Sequence, residues 1–196
     1  MSLRVPKAEI SSEVADSMIE RFGVVPEPLE ATWHNPAVAQ AASEMGARVA
    51  AWDAADESLK SFAHMAVAAQ VGCGWCLDIN YFQAQNKDLD LAKASQVPRW
   101  RESEVFTPLE RDVLEYAEAM TNTPPTVTDE LSRRLLDRLG AAALVELTGC
   151  IAYANLATRS NTALGVGSQG FSAACEIPLA ARPGTPGATL AGVTTA

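Results

Sequence analysis

A single glycine, Gly72, separates two runs that both carry helical spacing. Before it, Phe62 to Val71 is largely apolar; after it, Cys76, Ile79, Asn80 and Gln83 recur at three- and four-residue intervals. A chain that must stop one buried helix and start another within a few residues is steered toward a helical bundle. Cys73 then falls at or near the first turn of the second helix. Unpaired backbone N–H groups and the positive end of the helix dipole favour an anionic thiolate at such a place. Cys73 and Cys76, three residues apart, share one helical face and lie close enough to form a small disulfide ring.

Plainer roles for the pair compete with redox use. Two cysteines can serve as small core hydrophobes, since free cysteine is often buried. Structural zinc needs a second pair, whereas Cys150 and Cys175 stand alone and the histidines are His34 and His64; no metal and no cofactor are expected. A thioredoxin-like fold needs a strand before the pair and alternating strands elsewhere, and no convincing strand run is present. Redox use on an all-α frame is the preferred reading.

The rest of the chain supports that frame. Glu9 to Phe22 carries Ile10, Val14, Met18, Ile19 and Phe22 at helical spacing, with Gly23 as a stop. Met1 to Lys7 reads as a loose arm. A short helix is expected around Leu29 to Trp33, and Asn35-Pro36 caps the next, which runs to about Ala51. Asp53 or Asp56 begins a helix over Glu57 to Val71, and the helix after the glycine runs to about Gln85. Leu89 to Ser95 makes a short helix before Val97-Pro98. Thr107-Pro108-Leu109-Glu110 combines an N-cap, a first-turn proline and a capping-box glutamate. Thr128 caps a helix that Gly140 stops, and Ala141 to about Ser160 reads as long, apolar and central. From about Glu176, Pro, Gly, Ala and Thr dominate without periodicity, as in a tail that lies along the body or a neighbouring subunit. The expected division is a helical arm over 1–34, a main domain over 35–170 and an irregular tail over 171–196. Eight to ten helices are expected, in two similar halves.

Composition narrows the partners. With 196 residues, 48% hydrophobic and 20% charged, the chain can bury one sizeable core. A net charge of −9 without a basic cluster argues against nucleic acid. No stretch looks long enough, at ~20 apolar residues, to span a bilayer, so no membrane partner is expected. No apolar signal core opens the chain, which gives an expectation of a cytoplasmic location, where a Cys-x-x-Cys is more often catalytic or metal-binding than structural.

Four segments taken together, in their order and spacing, resemble the carboxymuconolactone decarboxylase family. They are Gln70-Val-Gly-Cys73-Gly-Trp-Cys76, Phe106-Thr-Pro-Leu-Glu to Met120, Leu144-Val-Glu-Leu-Thr148, and Asn155-Leu-Ala-Thr-Arg to Gly165. The resemblance covers roughly Asn35 to Val166 and is greatest to the AhpD-like alkylhydroperoxidase branch. It implies a helical bundle, homotrimers or homohexamers, and thiol-dependent reduction of a small-molecule peroxide, with Cys76 attacking and Cys73 resolving. The branch carries a His four residues after the second Cys and a Glu twelve before the first. Asn80 and Ser61 stand there, and neither relays a proton at neutral pH.

Candidate substitutes follow from helical spacing. His64 and Glu57 share a face with Ser61, so either could serve as base or orienter. His64 in an apolar helix also suits a core role, and Glu57 suits a first-turn dipole partner. Trp75 and Tyr81 are expected as pocket walls or core, and Asp78 as a solvated residue turned away from the thiols. Glu146, Asn155, Arg159 and Asn161 occupy recurring family positions, Arg159 as a helix staple. Cys150 reads as core and Cys175 as an incidental thiol. The expected function is reduction of a hydroperoxide, or of a disulfide with a thiol reductant as partner. The alternatives are a non-catalytic oligomeric scaffold, or a cofactor-free decarboxylase acting on a carboxylated lactone.

Overall fold

A computed structural model describes residues 2–183, and among them every regular element is a helix. The order is α1 (Ser12–Phe22), α2 (Glu27–Thr32), α3 (Pro36–Ala50), α4 (Glu57–Val71), α5 (Gly74–Asn86), α6 (Leu91–Gln96), a 3-10 segment (Val97–Glu102), α7 (Pro108–Thr121), α8 (Asp129–Leu164) and a final 3-10 turn (Phe171–Ala174). Local chemistry starts most of them. Asn35 and Thr128 cap α3 and α8 through their side chains, and Asp56 caps α4 with both Ser58 N and Leu59 N. The capping box at Thr107 is complete, with Glu110 returning to the Thr107 N–H at 2.7 Å. Gly140 adopts φ 77° inside α8, dividing it into two helical segments where the sequence places a stop.

The centre of the bundle is α4. Phe62, Ala63, Met65, Ala66, Val67 and Ala68 are all sealed, because α4 packs against α5, α7 and α8 at once. Alanine at three of these six positions lets the neighbouring helices approach closely on several sides. The long helix expected at the centre differs from that reading. α8 buries Leu147, Ile151 and Ala154 against α4 and α7 but leaves Val145 72% and Leu156 56% exposed. By length and composition alone α8 is apolar enough to cross a bilayer, contrary to the sequence expectation; here one side of it forms part of the core.

Both ends of the described segment are tied to the body. The start of the chain is not a loose arm: Arg4 N donates to Leu164 O, and its guanidinium donates to Thr162 O and Ala163 O, satisfying the last carbonyls of α8. Gly165, at φ 76°, closes that helix, and a Cβ there would clash with Ser2 O. Gly165→Ala is therefore expected to cost at least about 1–2 kcal/mol from the left-handed backbone alone. It should also release residues 2–4 from the body, visible as faster amide exchange at Arg4 than in the unchanged protein. At the other end, Tyr81 donates to Ile177 O, Ala180 N to Ser95 O, and Arg182 to Ala69 O and Gln70 O at the C-terminus of α4. The part of the expected tail over 184–196 lies outside the described residues.

Candidate functional site

The site is built by the α4–α5 corner. Gly72, at φ 80°, ends α4, and both its N–H and that of Cys73 donate to Ala68 O. That double turn swings Cys73 into the N-cap position of α5, where its Sγ accepts the Cys76 N–H at 3.2 Å. Cys73 and Cys76 are joined in a disulfide with Cα atoms 5.3 Å apart. From α8, Asn161 donates its amide to Cys76 Sγ at 3.3 Å. Ala68, Trp75 and Leu77 pack around the sulfurs, and each cysteine is only 2% exposed. Once the pair is reduced, these two N–H donors and the start of α5 favour thiolate over thiol.

The residues expected to replace the family base lie elsewhere. Among the described residues, neither His64, Ser61 nor Glu57 hydrogen-bonds to a sulfur. His64 rests edge-on against Tyr153 of α8, and burial, followed by the nearby Lys87 charge, pushes its pKa down to about 4. Glu57 pairs with Lys60 and Lys87 at the start of α4. Asn80, at the position where the branch carries His, donates its amide to Cys76 O at 2.7 Å, the carbonyl one turn back in its own helix, and not to the sulfur. Asn161 takes the sulfur contact instead. Tyr81 is wholly sealed in the core, and Trp75 donates its indole N–H to Gln169 Oε1 at 2.8 Å. Arg159 staples α8 to Thr121 O, and Asn155 to Thr121 Oγ1. Glu146 accepts from Ala54 N, Ala55 N and Lys60. Cys150 is buried, and burial first among its causes pushes its pKa up to about 11.

Asp78 departs most from expectation. It is 3% exposed rather than solvated, and its carboxylate accepts hydrogen bonds from Ser168 Oγ, Gly170 N, Phe171 N, Ser172 N and Ser172 Oγ. Burial works to raise its pKa, but the Ser168 and Ser172 side chains and the backbone N–H donors outweigh it and hold the group below the ordinary carboxylate range. Gln169 extends the same fastening: it accepts from Glu27 N and Trp75 Nε1 and donates to Val25 O, while Glu27 accepts from Gly167 N. Residues 165–172 are thus a strap bound down across the start of α5. Beneath it is a cavity of about 160 Å³ lined by Gly72, Gly74, Thr162, Val166, Gly167 and Ser168. A larger polar cleft of about 200 Å³ lies elsewhere, beside Gln70, Arg101, Glu118 and Asn122, whose side chains already pair with one another. The strap residues carried no helical or motif signal beyond a Ser-Gln-Gly-Phe-Ser run.

Residues 36–119 match the sequence profile described as the carboxymuconolactone decarboxylase family. A relative from Escherichia coli, "Uncharacterized protein YnjA", is 38% identical over 123 residues, 63% of this chain and 66% of that protein, just under two thirds of its length. Solved structures share the fold. The debrominase Bmp8 superposes with a TM-score of 0.75 at 20% identity, covering 87% of this chain and 95% of that one. A further structure is a cysteine-to-alanine variant of that debrominase in complex with 2,3,4-tribromopyrrole. An alkylhydroperoxidase AhpD core protein from Ralstonia eutropha superposes with a TM-score of 0.76 at 16% identity, covering 90% and 97%.

Proposed function

We propose that this chain is a thiol-dependent oxidoreductase of the carboxymuconolactone decarboxylase family, whose profile residues 36–119 match, and that it reduces a hydroperoxide through Cys73 and Cys76. The observation that carries this reading is the bonded pair at the start of α5, with a side-chain amide on one sulfur and a backbone N–H on the other. In the reduced protein, Cys76 thiolate attacks the terminal peroxide oxygen. The S–O bond forms, the O–O bond breaks, sulfur is oxidised to sulfenic acid, and the leaving alkoxide takes a proton from water. Cys73 then attacks the Cys76 sulfur, so that the S–S bond forms and water departs with the Cys73 proton. An external dithiol restores both thiols by two exchanges.

With Asn80 and Ser61 in place of the family's His and Glu, the thiolate rests on hydrogen-bond donors rather than on a proton relay. Assembly into a homotrimer or homohexamer is part of the proposal. Val38 and Met45 on α3 and Val145 and Leu156 on α8 expose apolar surface suited to it. Hydroperoxide consumption that depends on both protein and a dithiol is the expected result. Consumption equal with and without the protein would sink the reading. A second reading, cysteine-dependent dehalogenation, is favoured by the fold shared with a debrominase; release of bromide from a brominated pyrrole, with no peroxide turnover, would select it.

A further inference from the structure

Resting on that reading, we infer that Asn161 is the residue that puts the attacking thiolate on Cys76 rather than on Cys73. The backbone alone favours the other sulfur. Cys73 holds the N-cap position of α5, where its Sγ accepts the Cys76 N–H at 3.2 Å and meets the positive end of the helix dipole. Cys76 stands three residues further in, where that pull has weakened. What Cys76 has instead is a side-chain donor: Asn161 Nδ2, brought in by α8, lies 3.3 Å from its Sγ. Without it, the local geometry at the start of α5 leaves the charge to Cys73.

The contact is one that helix stability does not call for. Asn80 and Asn155 each give the side-chain amide to the carbonyl four residues earlier, Cys76 O at 2.7 Å and Ile151 O at 3.1 Å. Asn161 points its amide out of α8 to a sulfur, a weak acceptor while the pair is oxidised. Once the pair is reduced, the same N–H meets an anion, and a hydrogen bond to a charged acceptor is roughly twice as strong as a neutral one. The stabilisation therefore arises together with the thiolate. Asn161 is 8% exposed, so little water competes for the sulfur. The charged groups around this corner are engaged elsewhere: Asp78 of α5 by the strap, Glu27 of α2 by Gly167 N, Arg182 by Ala69 O and Gln70 O, and Arg4 by Thr162 O and Ala163 O. His64, one turn before Ala68 on α4, rests on Tyr153. No proton passes through Asn161: Cys76 loses its proton to solvent, attacks as described above, and the amide keeps both hydrogens.

The test needs no peroxide at first. The full chain, fully reduced, is pulse-alkylated with iodoacetamide over a pH series and each cysteine is read separately by fragment-ion mass spectrometry. The pH midpoint of alkylation, unlike its rate, does not depend on how accessible each sulfur is. In the unchanged protein the Cys76 midpoint should lie below that of Cys73. Asn161→Leu keeps the branched shape without the donor; it should raise the Cys76 midpoint by about one pH unit or more and leave Cys73 with the lower value. Asn161→Ala, cut short of the sulfur, should move it the same way, so that either variant decides should the other fail to fold by thermal melt. In a Cys73→Ser background, Asn161→Leu should also slow sulfenic acid formation on Cys76 by hydrogen peroxide about tenfold at a pH below the midpoint. A Cys76 midpoint unmoved in a folded variant overturns the assignment, as does a lower midpoint at Cys73 in the unchanged protein. Equal upward shifts at both cysteines overturn it too, being the mark of a general loosening. Midpoints that move as expected while Cys73→Ser forms no sulfenic acid uphold the role of Asn161 and sink the hydroperoxide reading instead.

Discussion

Cys76→Ser is expected to bring dithiol-dependent hydroperoxide turnover down to the protein-free rate, a loss on the order of a thousandfold or more. The hydroxyl that replaces the thiol ionises far above any working pH and has no stable oxidised partner state, so neither the first S–O bond nor the later S–S bond forms. The loss should come without unfolding. Asn161 Nδ2 stands 3.3 Å from Cys76 Sγ, and a serine hydroxyl at the same place keeps that amide as a donor. Cys73→Ser is expected to behave differently. The first oxidation survives, so the protein still consumes one equivalent of peroxide, but it stops at sulfenic acid on Cys76 and turns over only as fast as an external thiol resolves it. Trapping that sulfenic acid with a dione reagent in Cys73→Ser, and not in Cys76→Ser, is the expected pattern. The reverse pattern would exchange the roles of the two cysteines.

The second large effect is expected at Asp78. Asp78→Ala removes the acceptor of five hydrogen bonds and leaves Ser168, Gly170, Phe171 and Ser172 donors without it. A loss of about 3 kcal/mol or more follows from hydrogen bonds to a charged acceptor, or roughly 6–12 °C in melting temperature for a chain of this size. The pH dependence carries a sign. A carboxyl held below its ordinary value in the folded state contributes stability that is present above about pH 4, the unfolded value, and lost as pH falls through the folded value. The unchanged protein should therefore weaken in acid more steeply than Asp78→Ala, whose melting temperature loses that part of the slope. Parallel acid limbs in the two proteins would mean that the carboxylate does not hold the strap.

What could be read from the sequence was local. The caps at Asn35, Asp56, Thr107 and Thr128 and the break at Gly140 are decided by residues within one turn of each other, and the structure has each of them in that role. The Cys-x-x-Cys corner was legible for the same reason, because one glycine and the spacing of two sulfurs define it. Partners far apart in the chain were not. Asp78 looked solvated since nothing near it in sequence binds it; its partners lie 90 to 94 residues on. Asn161 stood at a recurring family position, but its contact with Cys76 is set by how α8 crosses the α4–α5 corner, over a separation of 85 residues. Asn80 and His64 show the converse. Each shares a helical face with plausible partners, yet Asn80 takes its own helix's carbonyl and His64 the ring of Tyr153. Helical spacing fixes which side chains can meet, and tertiary packing chooses among them.

The central claim is that the two sulfurs at the start of α5 give up electrons to a peroxide as a pair. Fully reduced protein mixed with one equivalent of hydrogen peroxide, quenched with an alkylating reagent and mapped by peptide mass spectrometry, tests it most directly. The account predicts that the peroxide is consumed and that Cys73 and Cys76 are recovered linked to each other, with Cys150 and Cys175 recovered as thiols. Recovery of Cys73 and Cys76 as alkylated thiols beside unconsumed peroxide, or oxidation that falls on Cys175 instead, would contradict it.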